Sequence, residues 1–129
     1  MHQIDQTACT ISFLENDIVH VHFKDGRVIE HDEVQLMFDA IEQERKGRKA
    51  LLLVSVGEGS TMSNDARAFA SGPESSRYIA ADAIIQRDFS HSLAANVFMR
   101  YHKPGRPIQL FPDRESALAW LGQQQHLIE

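Results

Sequence analysis

A run of small polar residues follows the most apolar segment of the chain, at a point where a helix should begin. Ser63 is placed to cap that helix, because a serine hydroxyl accepts hydrogen bonds from the free N–H groups of a first turn. Such helix ends also attract anions. The preceding Gly57-x-Gly59 pair lacks both the Walker pattern and the fuller Gly-x-Gly-x-x-Gly fingerprint. The run predicts either a recognition or switch loop, or a tight turn with a helix cap. Its candidate partner- or ligand-binding residues are Ser60, Thr61, Ser63, Asn64 and Asp65.

Two histidines, His20 and His22, are spaced so that they could bind one metal ion. With the two-residue period of a strand they share one face. A third ligand, for which His31 is the candidate, would have to come from elsewhere in the chain. There is no His-Glu-x-x-His or Cys-x-x-Cys pattern. Because the spacing supplies only two ligands, we favour an exposed face of an edge hairpin and assign no metal.

Cys9 is the single cysteine, and it could be a nucleophile if a histidine lay beside it. No flanking signature supports that role, and a small apolar residue in a first strand is the more common one. Since no other catalytic constellation is visible, we expect no enzyme, no catalytic residues and no cofactor.

Asp82 interrupts an otherwise apolar segment, Ile79–Ile85. A buried carboxylate needs partners, so we expect Asp82 to face solvent at the start of a strand. If it is buried, the candidate partners are Arg67, Arg77 and Arg87.

The composition is that of a globular protein. The chain has 129 residues, 43% hydrophobic and 24% charged, with a net charge of −5. That charge disfavours general nucleic-acid binding, and the one basic cluster, at residues 45–49, reads as the C-terminal end of a helix. No window approaches the roughly 18 apolar residues of a membrane span, and no signal peptide is visible at the N-terminus. We expect a soluble, cytoplasmic protein.

Strands and helices alternate along the sequence and must position these residues. Residues 7–15 and Ile18–Phe23 predict two strands joined at Asn16-Asp17, and Ala50–Val56 predicts a central strand buried on both faces. Ile79–Ile85 and a short segment between two prolines predict two more. Helices are expected over residues 32–45, 64–70 and 90–102, with a further turn at 74–78, and after Asp113 at the C-terminus.

The first helix should be capped by Asp32 and stopped by Gly47, with Leu36 off its buried stripe. Its stripe is Val34, Met37, Phe38 and Ile41. The resulting order, β-β-α-β-α-β-α-β-α, predicts a single α/β domain over residues 1–129, with a mixed, mostly parallel sheet and helices packed against it.

This order and several local motifs resemble the SpoIIAA-like (STAS) fold, which includes anti-sigma-factor antagonists, and in particular small stand-alone uncharacterised bacterial proteins of that fold. Three motifs carry the resemblance besides a Lys-Pro segment before the last strand. They are the Lys24-Asp25-Gly26 turn, the Ser63-x-x-Ala66-Arg67 helix start, and the Leu-Phe-x-Asp-x-x-x-Ala-Leu-x-Trp-Leu ending from Leu110 to Leu121.

In phospho-regulated members of this fold, a serine at the start of the corresponding helix is phosphorylated by a partner kinase. The matching stretch is residues 62–65, where the phosphorylated position falls on Asn64 or Asp65, and neither accepts phosphate there. Ser63 could accept it but is explained as the helix cap. The antagonist function is therefore not carried over residue by residue.

Two functions remain open. The first is a non-enzymatic regulatory module that docks a protein partner or a second copy of itself through residues 57–65, the helix after them and exposed apolar residues such as Leu36. The second is a carrier of a lipid-like or anionic ligand, in a pocket between the 90–102 helix and the sheet, with Phe98 and Tyr101 among the binding residues. An apolar cavity above roughly 300 Å³ would favour the carrier.

Overall fold

The computed structural model describes residues 2–85 and 106–128, which form a mixed sheet with helices on both faces. The predicted helix at residues 90–102, with Phe98 and Tyr101, lies outside this part of the chain. The strands are β1 (His2–Asp5), β2 (Cys9–Phe13), β3 (Ile18–Phe23), β4 (Val28–Ile29), β5 (Ala50–Val56), β6 (Thr61–Met62), β7 (Ile79–Ile85) and β8 (Ile108–Phe111). The helices are α1 (His31–Arg45), α2 (Asn64–Ser71) and α3 (Arg114–Gly122), with 3-10 turns at Pro73–Arg77 and Gln125–Leu127.

Six strands form the main sheet, in the order β1-β2-β3-β5-β7-β8. The first three are antiparallel, and β3, β5, β7 and β8 run parallel to one another. The two-residue strands β4 and β6 pair in a small parallel sheet of their own. The mostly parallel α/β architecture is thus as the alternation of strands and helices predicts.

The predicted hairpin is present between β2 and β3. Asn16 and Asp17 both adopt positive φ values, 62° and 64°, which short polar side chains tolerate and two-residue hairpin turns require. The observed bounds of β3, β5 and β7 equal the predicted ones. β1, β4 and β6 were not predicted, because strands of two to four residues are too short to show a period.

Helix α1 buries the predicted stripe, while Leu36 is 57% exposed, as expected. The predicted cap is wrong: Glu30, not Asp32, is the N-cap residue. The Glu33 carboxylate accepts a hydrogen bond from the Glu30 backbone N–H at 3.0 Å, so the helix begins at His31. The helix ends at Lys46, which adopts a left-handed conformation before Gly47.

The core lies on both faces of the sheet, and β5 contributes to each. Ala50 and Leu52 face α1 and α2, whereas Leu51 and Leu53 face α3. Ala117 and Leu121 of α3 are fully buried on the second face, and the α3 N-cap is Asp113, which accepts from the Ser116 N–H at 2.8 Å. Burial of each large apolar side chain stabilises the fold by about 1.5–3 kcal/mol.

Asp82 is buried, so the expectation that it faces solvent is wrong. It is 5% exposed and pairs with Arg106, whose Nη2 lies 2.9 Å from Asp82 Oδ2, rather than with any of the predicted arginines among the described residues. The cause is strand register: Arg106 precedes β8, and the Asp82 backbone N–H donates to Pro107 O. Arg106 also donates to Ser75 Oγ at 2.7 Å and Ser76 Oγ at 3.0 Å. Burial raises the pKa of Asp82, partly offset by the guanidinium.

None of the helices in residues 2–85 and 106–128 is long and apolar enough to cross a membrane.

Candidate functional site

The loop at residues 57–60 is tied to the turn at residues 24–27, which explains Ser60 structurally. The Ser60 hydroxyl donates to Lys24 O and accepts from the Arg27 N–H at 3.0 Å. Gly57 lies so close to this turn that a Cβ would be 2.6 Å from the Asp25 backbone nitrogen. The Asp25 carboxylate in turn accepts from the Glu58 N–H at 2.8 Å. Gly57 therefore serves the close packing of the two turns, and Gly59 adopts a positive φ of 77° that glycine tolerates.

The next predicted residues lead into α2. Thr61 lies in β6 and is exposed. The Ser63 hydroxyl accepts from the Ala66 N–H at 3.1 Å, so it is the helix cap that its position predicts. Asn64 and Asp65 are exposed in the first turn of α2. Of the candidate residues described, Asn64 and Asp65 therefore have the most accessible side chains beside a helix N-terminus.

A groove of about 640 Å³ lies between the start of α1 and the length of α2. Phe69 and Ala68 supply its apolar surface, and three carboxylate side chains stand around them. Its lining residues are His31, Asp32, Asp65, Ala68, Phe69, Gly72, Pro73 and Glu74. The Phe69 ring is held in place by Phe38, with ring centroids 5.8 Å apart, and by His31 at 4.4 Å. Among the described residues, Asp65 is the candidate partner- or ligand-binding residue that lines the groove.

A second polar cluster lies on the opposite face, where β3 pairs with β5. The register aligns His22 with Ser55 and His20 with Leu53, so both imidazoles lie on the same face as Ser55. The Ser55 hydroxyl lies 2.8 Å from His20 Nε2 and 2.8 Å from His22 Nδ1. Arg114, the first residue of α3, places its Nη1 3.1 Å from His20 Nδ1.

Arg114 sets the direction of both hydrogen bonds that His20 makes. A guanidinium only donates, so His20 Nδ1 accepts and His20 Nε2 carries the proton that it donates to Ser55 Oγ. The Ser55 hydroxyl is then free to donate its own proton to His22 Nδ1. Burial, with the positive charge of Arg114, lowers the pKa of His20 to about 4, so this ring is neutral at physiological pH.

The same hydrogen bond argues against the metal site that the spacing of His20 and His22 would allow. A neutral histidine that ligates through Nε2 carries its proton on Nδ1 and donates it to an acceptor. Arg114 cannot accept that proton, so it stabilises the opposite tautomer of His20. His31, the predicted third ligand, lines the groove at α1 instead. Within the described ranges, no three His, Cys, Asp or Glu side chains are grouped to hold a metal ion.

Cys9 lies in the core, as expected of a small apolar residue in this strand. It is fully buried, and burial raises the pKa of its thiol to about 11. The reactive form of cysteine is the thiolate, which this environment suppresses.

Three residues of these clusters escaped prediction: Ser55, Arg114 and Arg106. Ser55 sits inside an apolar run, where a single serine gives no signal. The signal that could have found it is the pairing of β3 with β5, since that register aligns Ser55 with His22. Arg114 and Arg106 come from distant segments, and only the packed fold brings them to His20 and Asp82.

Comparison with known proteins identifies the fold and a family. No curated protein matches the chain. An uncharacterised protein of the DUF3478 family from Shewanella loihica PV-4, described as having a SpoIIAA-like fold, is similar in structure, with a TM-score of 0.59 and 20% sequence identity. The match covers 88% of this chain and 92% of that one, and it confirms the SpoIIAA-like fold. A family model, described as a domain of unknown function, matches residues 12–125, and the chain therefore belongs to the DUF7793 family.

Proposed function

We propose that this protein is a non-enzymatic docking module of SpoIIAA-like type that binds a protein segment in the groove between α1 and α2. The observation that carries the proposal is the composition of that groove, in which an apolar surface at Phe69 is surrounded by carboxylates. A surface of this kind suits a partner that presents an apolar side chain next to a lysine or arginine.

The geometry of Phe69 supports this role. Its ring is half-buried and fixed between Phe38 and His31, so it offers apolar surface without losing freedom on binding. The carboxylates of Asp32, Asp65 and Glu74 come from three different elements, namely α1, α2 and the 3-10 turn. None of the three takes part in the α2 cap, which Ser63 supplies. All three are exposed, although Asp32 Oδ1 also lies 3.5 Å from His31 Nδ1, so a cationic side chain can reach them.

A photo-crosslinking experiment tests the proposal in the host cell. Benzoylphenylalanine replaces Ala68, an exposed alanine in the groove, or Ala119, an exposed alanine on α3 that serves as the matched control. We expect one specific adduct from position 68 that is absent from position 119 and is reduced at least tenfold by Asp65→Lys in the same chain. The purified partner should then bind the wild type, and binding should weaken in Asp65→Lys.

Two results would contradict the proposal. Identical adducts from both positions would show that partners do not bind the groove in preference to the α3 surface. An adduct that Asp65→Lys does not reduce would exclude the charge complementarity on which the proposal depends. An adduct of the chain with itself would show that the partner is a second copy of this protein. The carrier hypothesis depends on Phe98, Tyr101 and the helix at residues 90–102, and it stays a prediction.

A further inference from the structure

Ser55 lies at the C-terminal end of a central parallel strand, with an imidazole nitrogen on each side of its hydroxyl. It is half-buried on β5, and both nitrogen–oxygen distances are 2.8 Å. In parallel sheets this end of the strands is where reacting and binding groups gather. Docking at the α1–α2 groove makes no use of this cluster, which lies on the other face.

The hydrogen bonds around Ser55 run in one direction. Arg114 donates to His20, His20 donates to the Ser55 oxygen, and the Ser55 hydroxyl can donate its proton to His22 Nδ1. Positive charge thus stands at one end of the chain of bonds, and the exposed imidazole of His22 stands at the other end. Both features favour loss of the hydroxyl proton: the first stabilises negative charge on the oxygen, and the second accepts the proton.

We propose that Ser55 is a nucleophile that accepts an acyl group from an activated ester or thioester, with His22 as its general base. The Ser55 oxygen bonds to the acyl carbon while its proton passes to His22 Nδ1. The bond between the acyl carbon and the leaving oxygen or sulfur then breaks, and the leaving group departs with the electron pair as an anion. His22 releases the proton to water, so the products are an O-acyl serine, the leaving anion and one proton.

His20 and Arg114 act as positioning residues in this step. The His20 N–H holds the Ser55 oxygen and leaves its hydroxyl proton directed at His22. Arg114 fixes His20 in the tautomer that can do this, because the guanidinium occupies the other ring nitrogen. The depressed pKa of His20 keeps that ring neutral, so His20 does not take up the Ser55 proton in place of His22.

Acetylation by p-nitrophenyl acetate at pH 8 tests the proposal on the full chain. We expect release of p-nitrophenolate with a mass increase of one acetyl group per chain, located on Ser55. Trypsin releases residues 50–67 as one peptide, which also contains Ser60, Thr61 and Ser63, so fragment ions must assign the site. The Ser55→Ala variant should lose this modification.

His22→Gln should slow acetylation of Ser55 by about 100-fold, the lower end of what a general base contributes. His126→Gln, at an exposed histidine of the C-terminal 3-10 turn, is the matched control and should leave the rate unchanged. Arg114→Gln should shift the pH profile of acetylation, since His20 is then free to change tautomer. Acetyl groups found on lysines alone, or Ser55 acetylation at equal rates in wild type and His22→Gln, would overturn the proposal.

Discussion

Two polar clusters lie on opposite faces of the same sheet and differ in charge and burial. The Asp82–Arg106 pair is ionic and closed, with side chains 8% and 6% exposed. The Arg114–His20–Ser55–His22 chain has a neutral centre and is open to solvent at both ends. Removing one partner of such a pair would leave an uncompensated buried charge, so the fold depends on both Asp82 and Arg106. The second cluster buries no such pair of charges, and its Ser55 hydroxyl has an imidazole nitrogen on each side.

The largest effect on stability should follow from breaking the buried Asp82–Arg106 pair. Arg106→Met leaves the Asp82 carboxylate buried without a counter-charge and should lower the free energy of unfolding by about 3–5 kcal/mol. Urea denaturation at pH 7 measures this. Arg77→Met is the matched control, because Arg77 pairs with Glu42 at the surface at 3.8 Å and should cost less than about 1 kcal/mol. Equal losses in the two variants would show that the buried pair contributes no more to stability than a surface pair.

Acidification should recover part of that loss. Burial already raises the pKa of Asp82 from 3.8, and removing Arg106 removes what offsets the rise. A carboxyl whose folded pKa lies above its unfolded value favours folding in acid, and that contribution is lost as pH rises through the folded pKa. The difference in unfolding free energy between Arg106→Met and the wild type should therefore narrow between pH 7 and pH 4.5. A constant difference would mean that Asp82 is not left charged and buried.

The open cluster should matter less to stability. Ser55→Ala removes two hydrogen bonds at a half-buried position and should lower the unfolding free energy by about 1 kcal/mol. The same urea titration measures it. Ser116→Ala, which changes an exposed hydroxyl on α3, is the control. A loss as large as that of Arg106→Met would show that this cluster also holds the fold together.

The smallest effect on stability and the clearest spectroscopic one should come from Arg114→Gln. The unfolding free energy should change by no more than about 0.5 kcal/mol, because Arg114 is exposed. The pKa of His20, about 4 in the wild type, should rise as one positive neighbour is removed, and histidine NMR signals followed against pH measure it.

His20 also gives the wild type a pH dependence of known sign. Its folded pKa lies below the usual 6.5, so the folded state disfavours protonation of this ring. The contribution of His20 to stability is present above pH 6.5 and is lost as pH falls toward 4. Arg114→Gln should reduce that loss. If neither the His20 signals nor the acid sensitivity changed, Arg114 would not be interacting with His20.

The local sequence pattern predicted much of the fold. The period of two along Ile18–Phe23 and the buried stripe of α1 predicted which side chains enter the core, because burial alone decides those patterns. The Asp113 and Ser63 caps were also predicted, since a cap depends on residues within one turn.

Pairs between distant segments could not be predicted in the same way. Asp82 meets Arg106 only because β7 pairs with β8, and Ser55 meets two histidines only because β3 pairs with β5 in one register. A shift of one residue would turn Ser55 to the other face. The groove likewise requires the relative placement of α1 and α2, so the sequence predicted Asp65 as a candidate without predicting its surroundings.

The division of the sheet into an antiparallel part and a parallel part has a consequence for the order of folding. The β1, β2 and β3 strands are joined by short turns and pair within the first 23 residues. The β3–β5, β5–β7 and β7–β8 pairings each require closure of a longer loop. Hairpins form in microseconds, whereas parallel pairings are intrinsically slow. The N-terminal meander should therefore form first and serve as the template on which β5, and then β7 and β8, assemble.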